Sequence, residues 1–250
     1  MKLFSFMLFF SIAFCLQFAF AQDTEKIEKL FDKDIPPDSI EKMFDEIKAN
    51  LPNDIPKALE TAELANQYSL ISGIDSLIAK SNLSLGLVYY FKNYFRVSSR
   101  YYQEALESEY SKENTVFRMK VHNNLGVNYD ILKDYEQALK HYKASLKSAE
   151  IIGDSAEIYE VYINVGLVYT NLKEHDKSEQ TTLKALDFFK TADDPGNTAL
   201  CYQNLAKMEL NRKNHQKSVD YSLIAISIFK EIENFYMVGQ MYHNLGIVYY

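Results

Sequence analysis

The sequence VHNNLGVNYDILKDYEQALKHYKASL, from Val121 to Leu146, decides the fold of this 250-residue chain. Leu125, Gly126 and Tyr129 lie on one helical face, because they are spaced one and three to four residues apart. A polar break follows, and a second stripe of the same period begins at Ala138. The stretch therefore predicts two amphipathic helices joined by a short turn.

The same pattern returns every 40 residues along the chain. The slot of Gly126 holds a small residue in five successive units, which are Gly86, Gly126, Gly166, Ala206 and Gly246. Three residues later comes a slot that is mostly tyrosine, filled by Tyr89, Tyr129, Tyr169, Glu209 and Tyr249. Internal repetition at this period predicts a solenoid of stacked units.

A glycine inside a helix needs a packing reason, because it costs roughly 1 kcal/mol relative to alanine. The second helices carry small slots as well, near their starts at Ser98, Ala138, Ser178 and Ser218 and near their ends at Ala105, Ser145, Ala185 and Ala225. Small residues on both partners allow paired helices to approach closely. We therefore expect the backbones of the two helices to be in contact at the Gly126 slot.

Capping residues mark the element boundaries. Asp134, with Gln137 three residues later, is typical of a helix start, and Gly73 and Gly153 are typical of helix ends. No convincing strand is found, so the prediction is an all-α domain over residues 39–250. It comprises about five helical hairpins and one further first helix over 236–250, and this incomplete last unit predicts that the chain continues.

The Leu-Gly-x-x-Tyr and Ala-x-x-x-Tyr patterns resemble the tetratricopeptide repeat, on the residues Leu125, Gly126, Tyr129, Ala138 and Tyr142. The resemblance covers the chain from about residue 40 onward. The unit is longer than the usual 34 residues, and in this it resembles the long-helix variants of bacterial regulators and kinesin light chains. HEAT-like repeats share the period but lack the glycine and tyrosine slots. The resemblance implies a right-handed superhelical α-solenoid of antiparallel helix pairs.

Residues 1–21 have the composition of a secretory signal peptide, with Lys2 before an apolar core and Ala19-Phe20-Ala21 as the cleavage site. An uncleaved membrane anchor is the alternative, since about 18 to 20 apolar residues can just span a bilayer. The small-x-small ending and the polar leader over residues 22–38 favour cleavage. The mature protein is thus expected to be exported, to the periplasm or the extracellular space. It would keep only Cys201, which rules out an internal disulfide.

Charge and motifs exclude several function classes. The net charge of −7 repels phosphate backbones, so direct nucleic-acid binding is not expected. The sequence has no phosphate-binding loop, no His-Glu-x-x-His and no Gly-x-Ser-x-Gly. The histidines are interpreted as packing or surface residues. We therefore expect no cofactor, no metal site and no enzymatic activity in these residues.

An asparagine ladder is the best candidate for binding. In four units an asparagine directly precedes the apolar slot of Leu125, and these residues are Asn124, Asn164, Asn204 and Asn244. Ser84 occupies the same position in the unit before them. In the resembled family the first helix of each unit lines a concave groove, and an amide there can both donate to and accept from a peptide backbone. The alternative is that these amides bond within the solenoid.

The same family geometry assigns a stripe of first-helix residues to the groove. It consists of Leu83, Leu87, Tyr90, Val127, Asp130, Ile163, Leu167 and Lys207. The alternative is that this stripe packs against adjoining helices. The resulting hypothesis is an exported, non-enzymatic module that binds a peptide or partner domain in its groove. The second hypothesis is a periplasmic sensor region of a longer histidine kinase or transcriptional regulator, with a membrane segment downstream.

Overall fold

A computed structural model describes residues 35–51 and 53–248. The predicted signal peptide, most of the predicted leader and Tyr249 lie outside this range. Within it the chain forms twelve α-helices and no strand, which confirms the all-α prediction. The helices are α1 (Pro37–Asn50), α2 (Ile55–Ser72), α3 (Asp75–Phe91), α4 (Phe95–Glu107), α5 (Glu109–Glu113), α6 (Thr115–Ile131), α7 (Tyr135–Ile152), α8 (Ser155–Asn171), α9 (His175–Thr191), α10 (Pro195–Asn211), α11 (His215–Glu231) and α12 (Phe235–Val248).

The helices pack in tandem, each against its neighbours along the chain. We call α1, α3, α6, α8, α10 and α12 the first helices, and α2, α4, α7, α9 and α11 the second helices. This arrangement confirms the predicted solenoid of helix pairs. The first helix begins at Pro37, two residues before the predicted start, because proline is well suited to the first position of a helix. No helix of the described part combines the length and apolarity needed to cross a bilayer.

The turns between paired helices use the left-handed backbone region. Asn93, Lys133, Lys173 and Lys213 have φ between 61° and 66° just after a first helix. In the following helix start, the Asp134 side chain accepts a hydrogen bond from the Gln137 backbone N–H at 3.2 Å, as predicted. Gly73 and Gly153 are also left-handed and end second helices, as predicted. Local turn chemistry therefore sets the hairpin geometry.

At Gly126 a side chain, and not a backbone, fills the space beside the glycine. A Cβ placed on Gly126 would lie 2.5 Å from Cε1 of Tyr142, a buried ring on the paired helix. Gly86 stands in the same relation to the ring of Tyr102. For Gly86 and Gly126 the expectation of direct backbone contact was wrong, because the space that glycine leaves is filled by a side chain sixteen residues later. At Gly166 the Ser178 backbone oxygen of the paired helix does lie 3.6 Å from an added Cβ.

The two facing residues are matched in size along the array. Gly86 and Gly126 each face a tyrosine, whereas Gly166 faces the smaller Thr182. In the next unit the residue sixteen positions after Ala206 is Ser222. Alanine thus replaces glycine only where the opposite side chain is smallest. The small slot is therefore one half of a pair whose combined volume is limited.

The tyrosine slot packs on the second helix twelve residues later. Tyr89 stacks on Tyr101 with ring centroids 5.4 Å apart and an interplanar angle of 9°. Tyr129 stacks on His141 at the same centroid distance and 12°. This stacking ties the two helices of a hairpin together near their turn.

Candidate functional site

Two amides of the asparagine ladder lie between successive first helices. Asn164 Nδ2 donates to Asn123 Oδ1 at 3.3 Å, and Asn204 Nδ2 donates to the backbone oxygen of Ile163 at 2.8 Å. Asn204 is also buried. For these two residues the structure shows bonding within the solenoid, so they hold neighbouring first helices in register. Contact of the ladder with a peptide stays a prediction.

The other members of the ladder have different surroundings. Ser84 is buried, and its hydroxyl donates to the Lys80 backbone oxygen within its own helix at 2.9 Å. Asn124 is half-buried beside Tyr102, and Asn244 is exposed. Burial raises the pKa of Tyr102, while hydrogen bonds from Ser98 and Asn124 partly offset that increase. Asn124 therefore already serves a side chain of this chain, whereas Asn244 faces solvent.

A second row of amides, which sequence reasoning missed, runs parallel to the ladder. Asn171 Nδ2 donates to Asp130 Oδ1 at 3.0 Å, and Asn211 Nδ2 donates to the Thr170 backbone oxygen at 3.3 Å. Burial raises the pKa of Asp130, and the Asn171 hydrogen bond and the Lys207 charge lower it. The recurrence of asparagine at 171 and 211, one repeat apart, was the signal that could have revealed this row.

The predicted groove stripe keeps part of its surface open. Leu83, Leu87, Tyr90, Val127 and Leu167 are each half-buried. Asp130 is half-buried too, Lys207 is exposed, and Ile163 is buried. The stripe thus combines contact with neighbouring helices and access to solvent, and its part in binding stays a prediction.

Two cavities show that consecutive first helices share one surface. One, of about 470 Å³, takes lining residues from the first helices α8, α10 and α12 and from the second helix α11, among them Leu167, Lys207 and Asn244. The other, of about 420 Å³, takes them mainly from α1, α3 and α6, among them Leu83 and Phe117. Volumes of this size are in the range of small ligand sites. We call the surface of the first helices that carries both cavities the groove.

A histidine pair lies between the two helices of the central hairpin, α6 and α7. His122 Nδ1 and His141 Nδ1 are 3.0 Å apart, and His141 also stacks on Tyr129. Burial, the neighbouring His122 and Lys140 lower the pKa of His141 to about 4. Burial together with nearby cations lowers the pKa of His122 as well. Both rings are therefore neutral at pH 7. Sequence reasoning missed the pair because it considered His122 without His141.

This pair makes stability sensitive to mild acid. The pKa of His141 in the folded chain is about 4, below the usual value of about 6.5, so the unfolded chain takes up the proton first. Stability is then complete above pH 6.5 and falls as the pH drops towards 4. Because the ring is partly solvated, we expect a loss of about 1 kcal/mol between pH 7 and pH 5.

His141→Tyr is the matched variant, since Tyr101 stacks on Tyr89 at the same repeat slot. Thermal unfolding at pH 7 and pH 5 should show a smaller decrease in melting temperature for the variant than for the unmodified chain. An equal decrease in both proteins would exclude His141 as the source of the acid sensitivity.

The described residues offer little other chemistry. In residues 35–51 and 53–248, no three His, Cys, Asp or Glu side chains converge as metal ligands. Cys201 is buried, and burial raises the pKa of its thiol to about 12, so it is a packing residue at neutral pH.

Comparison with known protein families agrees with the repeated helix pairs described above. Residues 120–151 and 159–189 match the family model described as tetratricopeptide repeat. These units are tetratricopeptide repeats. No curated protein sequence matches the chain.

Solved structures of tetratricopeptide-like proteins have the same fold. The apo form of RapI is 19% identical, with a TM-score of 0.71 over 85% of this chain and 78% of that one. A Rap protein complexed with competence and sporulation factor is 16% identical, with a TM-score of 0.74 over 93% of this chain and 66% of that one. A putative kinesin light chain with TPR-like repeats from Podosopora anserina is 10% identical, with a TM-score of 0.63 over 79% and 98%. The tetratricopeptide fold is that of interaction modules, which use extended concave surfaces for binding.

Proposed function

We propose that this tetratricopeptide-repeat chain is an exported, non-enzymatic module that binds a peptide or a partner domain in the groove. The observation that carries the proposal is the groove itself, with a half-open apolar stripe and a cavity at each end. A Rap protein of the same fold, crystallised with competence and sporulation factor, supports it. The composition of residues 1–21 supports export. Mass spectrometry of the secreted chain tests this, because a chain that has been cleaved after Ala21 begins at Gln22.

The groove is suited to bind without large rearrangement. Hydrogen bonds from Asn164 and Asn171 fix α8 to α6, and one from Asn204 fixes α10 to α8. A surface whose spacing is already set loses little conformational freedom when a ligand binds, and this favours affinity. The apolar side chains supply contact area, while Asp130 and Lys207 add opposite charges that can orient a peptide.

Groove variants test the proposal. A displayed library of random peptides is selected on the chain from Gln22 to Tyr250, and the selected peptides are titrated against purified variants. We expect Leu167→Asp and Val127→Asp each to weaken binding at least tenfold, because a carboxylate would have to be desolvated against an apolar ligand. Asn204 is a poor choice for this test, since its buried amide supports the fold.

The control is Leu183→Asp, on the second helix α9, where the leucine is 44% exposed. It introduces the same charge change outside the groove, so it should leave affinity within twofold. Equal losses in the groove variants and in the control, with circular dichroism unchanged, would contradict groove binding.

A further inference from the structure

Tyr102 fills a defined chamber inside the second hairpin. Its ring packs on Gly86 and belongs to one buried cluster with Val121 of the next first helix. Its hydroxyl lies near the polar side chains of Ser98 and Asn124, both of which lower its pKa against the effect of burial. The chamber therefore has an apolar wall for a phenol ring and polar groups for its hydroxyl.

Three repeats later the same chamber has no tyrosine. Ser222 stands in the slot of Tyr102, and its hydroxyl donates to the Ser218 backbone oxygen at 2.8 Å, so it points back along its own helix. The corresponding walls are Ala206 for Gly86, Ser218 for Ser98, Met241 for Val121 and Asn244 for Asn124. All five of these residues line the cavity of about 470 Å³.

We infer that this cavity takes the phenol side chain of a tyrosine carried by the bound peptide. The inference rests on the proposed function, because Leu167 and Lys207 of the groove line the same cavity and connect it to the groove. The chain itself indicates the occupant, because it fills the equivalent chamber with Tyr102 and, in the next unit, with Tyr142. Asn244 takes the place of Asn124, so its amide is the expected partner of the incoming hydroxyl.

The first test uses p-cresol, the free side chain of tyrosine, and toluene, which lacks the hydroxyl. With the methionine methyl groups labelled with ¹³C, both probes should shift the Met241 signal, and p-cresol should bind more tightly. Asn244→Leu should weaken p-cresol about tenfold and leave toluene within twofold. A Met241 signal that neither probe shifts would overturn the inference, whatever the variants do.

The second test fills the cavity from within. The double variant Ala206→Gly/Ser222→Tyr restores the residue pair found at Gly126 and Tyr142, and should abolish the Met241 shift by p-cresol. Ser227→Tyr adds a tyrosine at an exposed position of the same helix and is the matched control. It should bind p-cresol like the unmodified chain. Undiminished p-cresol binding by the double variant, with helicity retained, would overturn the inference.

The outcomes separate the pocket from the groove. Selected peptides should lose at least tenfold in affinity for the double variant, and also when their own tyrosine is changed to alanine. If peptides bind the groove but neither change weakens them, the pocket inference fails and groove binding stands. If p-cresol binds as expected but the affinity of the selected peptides does not depend on Val127, groove binding fails; the cavity then takes a phenol, and the claim that a groove-bound peptide supplies it is overturned.

Discussion

Gly126→Ala is expected to lower the free energy of unfolding by about 2 kcal/mol, as overpacking of a well-filled core does. The new Cβ would lie 2.5 Å from Cε1 of Tyr142. That ring is 1% exposed and packs in one cluster with Val161 and Val165, so it cannot move aside freely. The clash outweighs the roughly 1 kcal/mol that alanine gains over glycine in a helix. Urea unfolding followed by circular dichroism measures the difference.

Two comparisons isolate the cause. Gly239→Ala is the control, because a Cβ there would meet nothing within 4 Å, and it should be neutral or stabilising. In a Tyr142→Ser background, Gly126→Ala should likewise be harmless, since serine is the residue that stands opposite Ala206. An equal cost of Gly126→Ala in both backgrounds would show that the tyrosine ring is not responsible.

Arg212→Leu is expected to lower the free energy of unfolding by about 3 kcal/mol. Glu209 replaces the tyrosine of the other units and is only 1% exposed. Its carboxylate lies 3.6 Å from Arg212 Nη1 and accepts a hydrogen bond from Asn214 Nδ2 at 2.6 Å. Removing the guanidinium would leave a buried charge without its cation. Arg212 also pairs with Asp176 and Glu179 of the preceding second helix, so it joins two units.

Neutralising the carboxylate should restore much of this loss. The double variant Arg212→Leu/Glu209→Gln keeps the shape of the buried side chain, and its amide oxygen can still accept from Asn214. Lys48→Leu is the control, because its pair with Asp45 is exposed and such pairs contribute about 1 kcal/mol or less. If the double variant is no more stable than Arg212→Leu, the buried charge is not what makes Arg212 important.

Sequence reasoning assigned the residues of the candidate site to the first helices but did not give their contacts. It assigned Leu87 and Leu167 to the first helices, and both are half-open there. It treated the ladder as one class, whereas Asn204 is buried against Ile163 and Asn244 reaches solvent. Positions that are equivalent in the repeat have different surroundings in the folded chain, because their neighbours belong to other units. The partners of Asn171 and His141 were missed for the same reason.

The sequence by itself determined the array of helix pairs, the 40-residue unit and the turns. These depend on residues a few positions apart, such as Asp134 and Gln137, whose chemistry acts locally. Only the tertiary structure decided that Gly126 makes room for Tyr142 and that Ser222 leaves a cavity in the same chamber. Side-chain volumes on different helices limit one another only after the helices have packed, so the fit of each pair appears first in the folded chain.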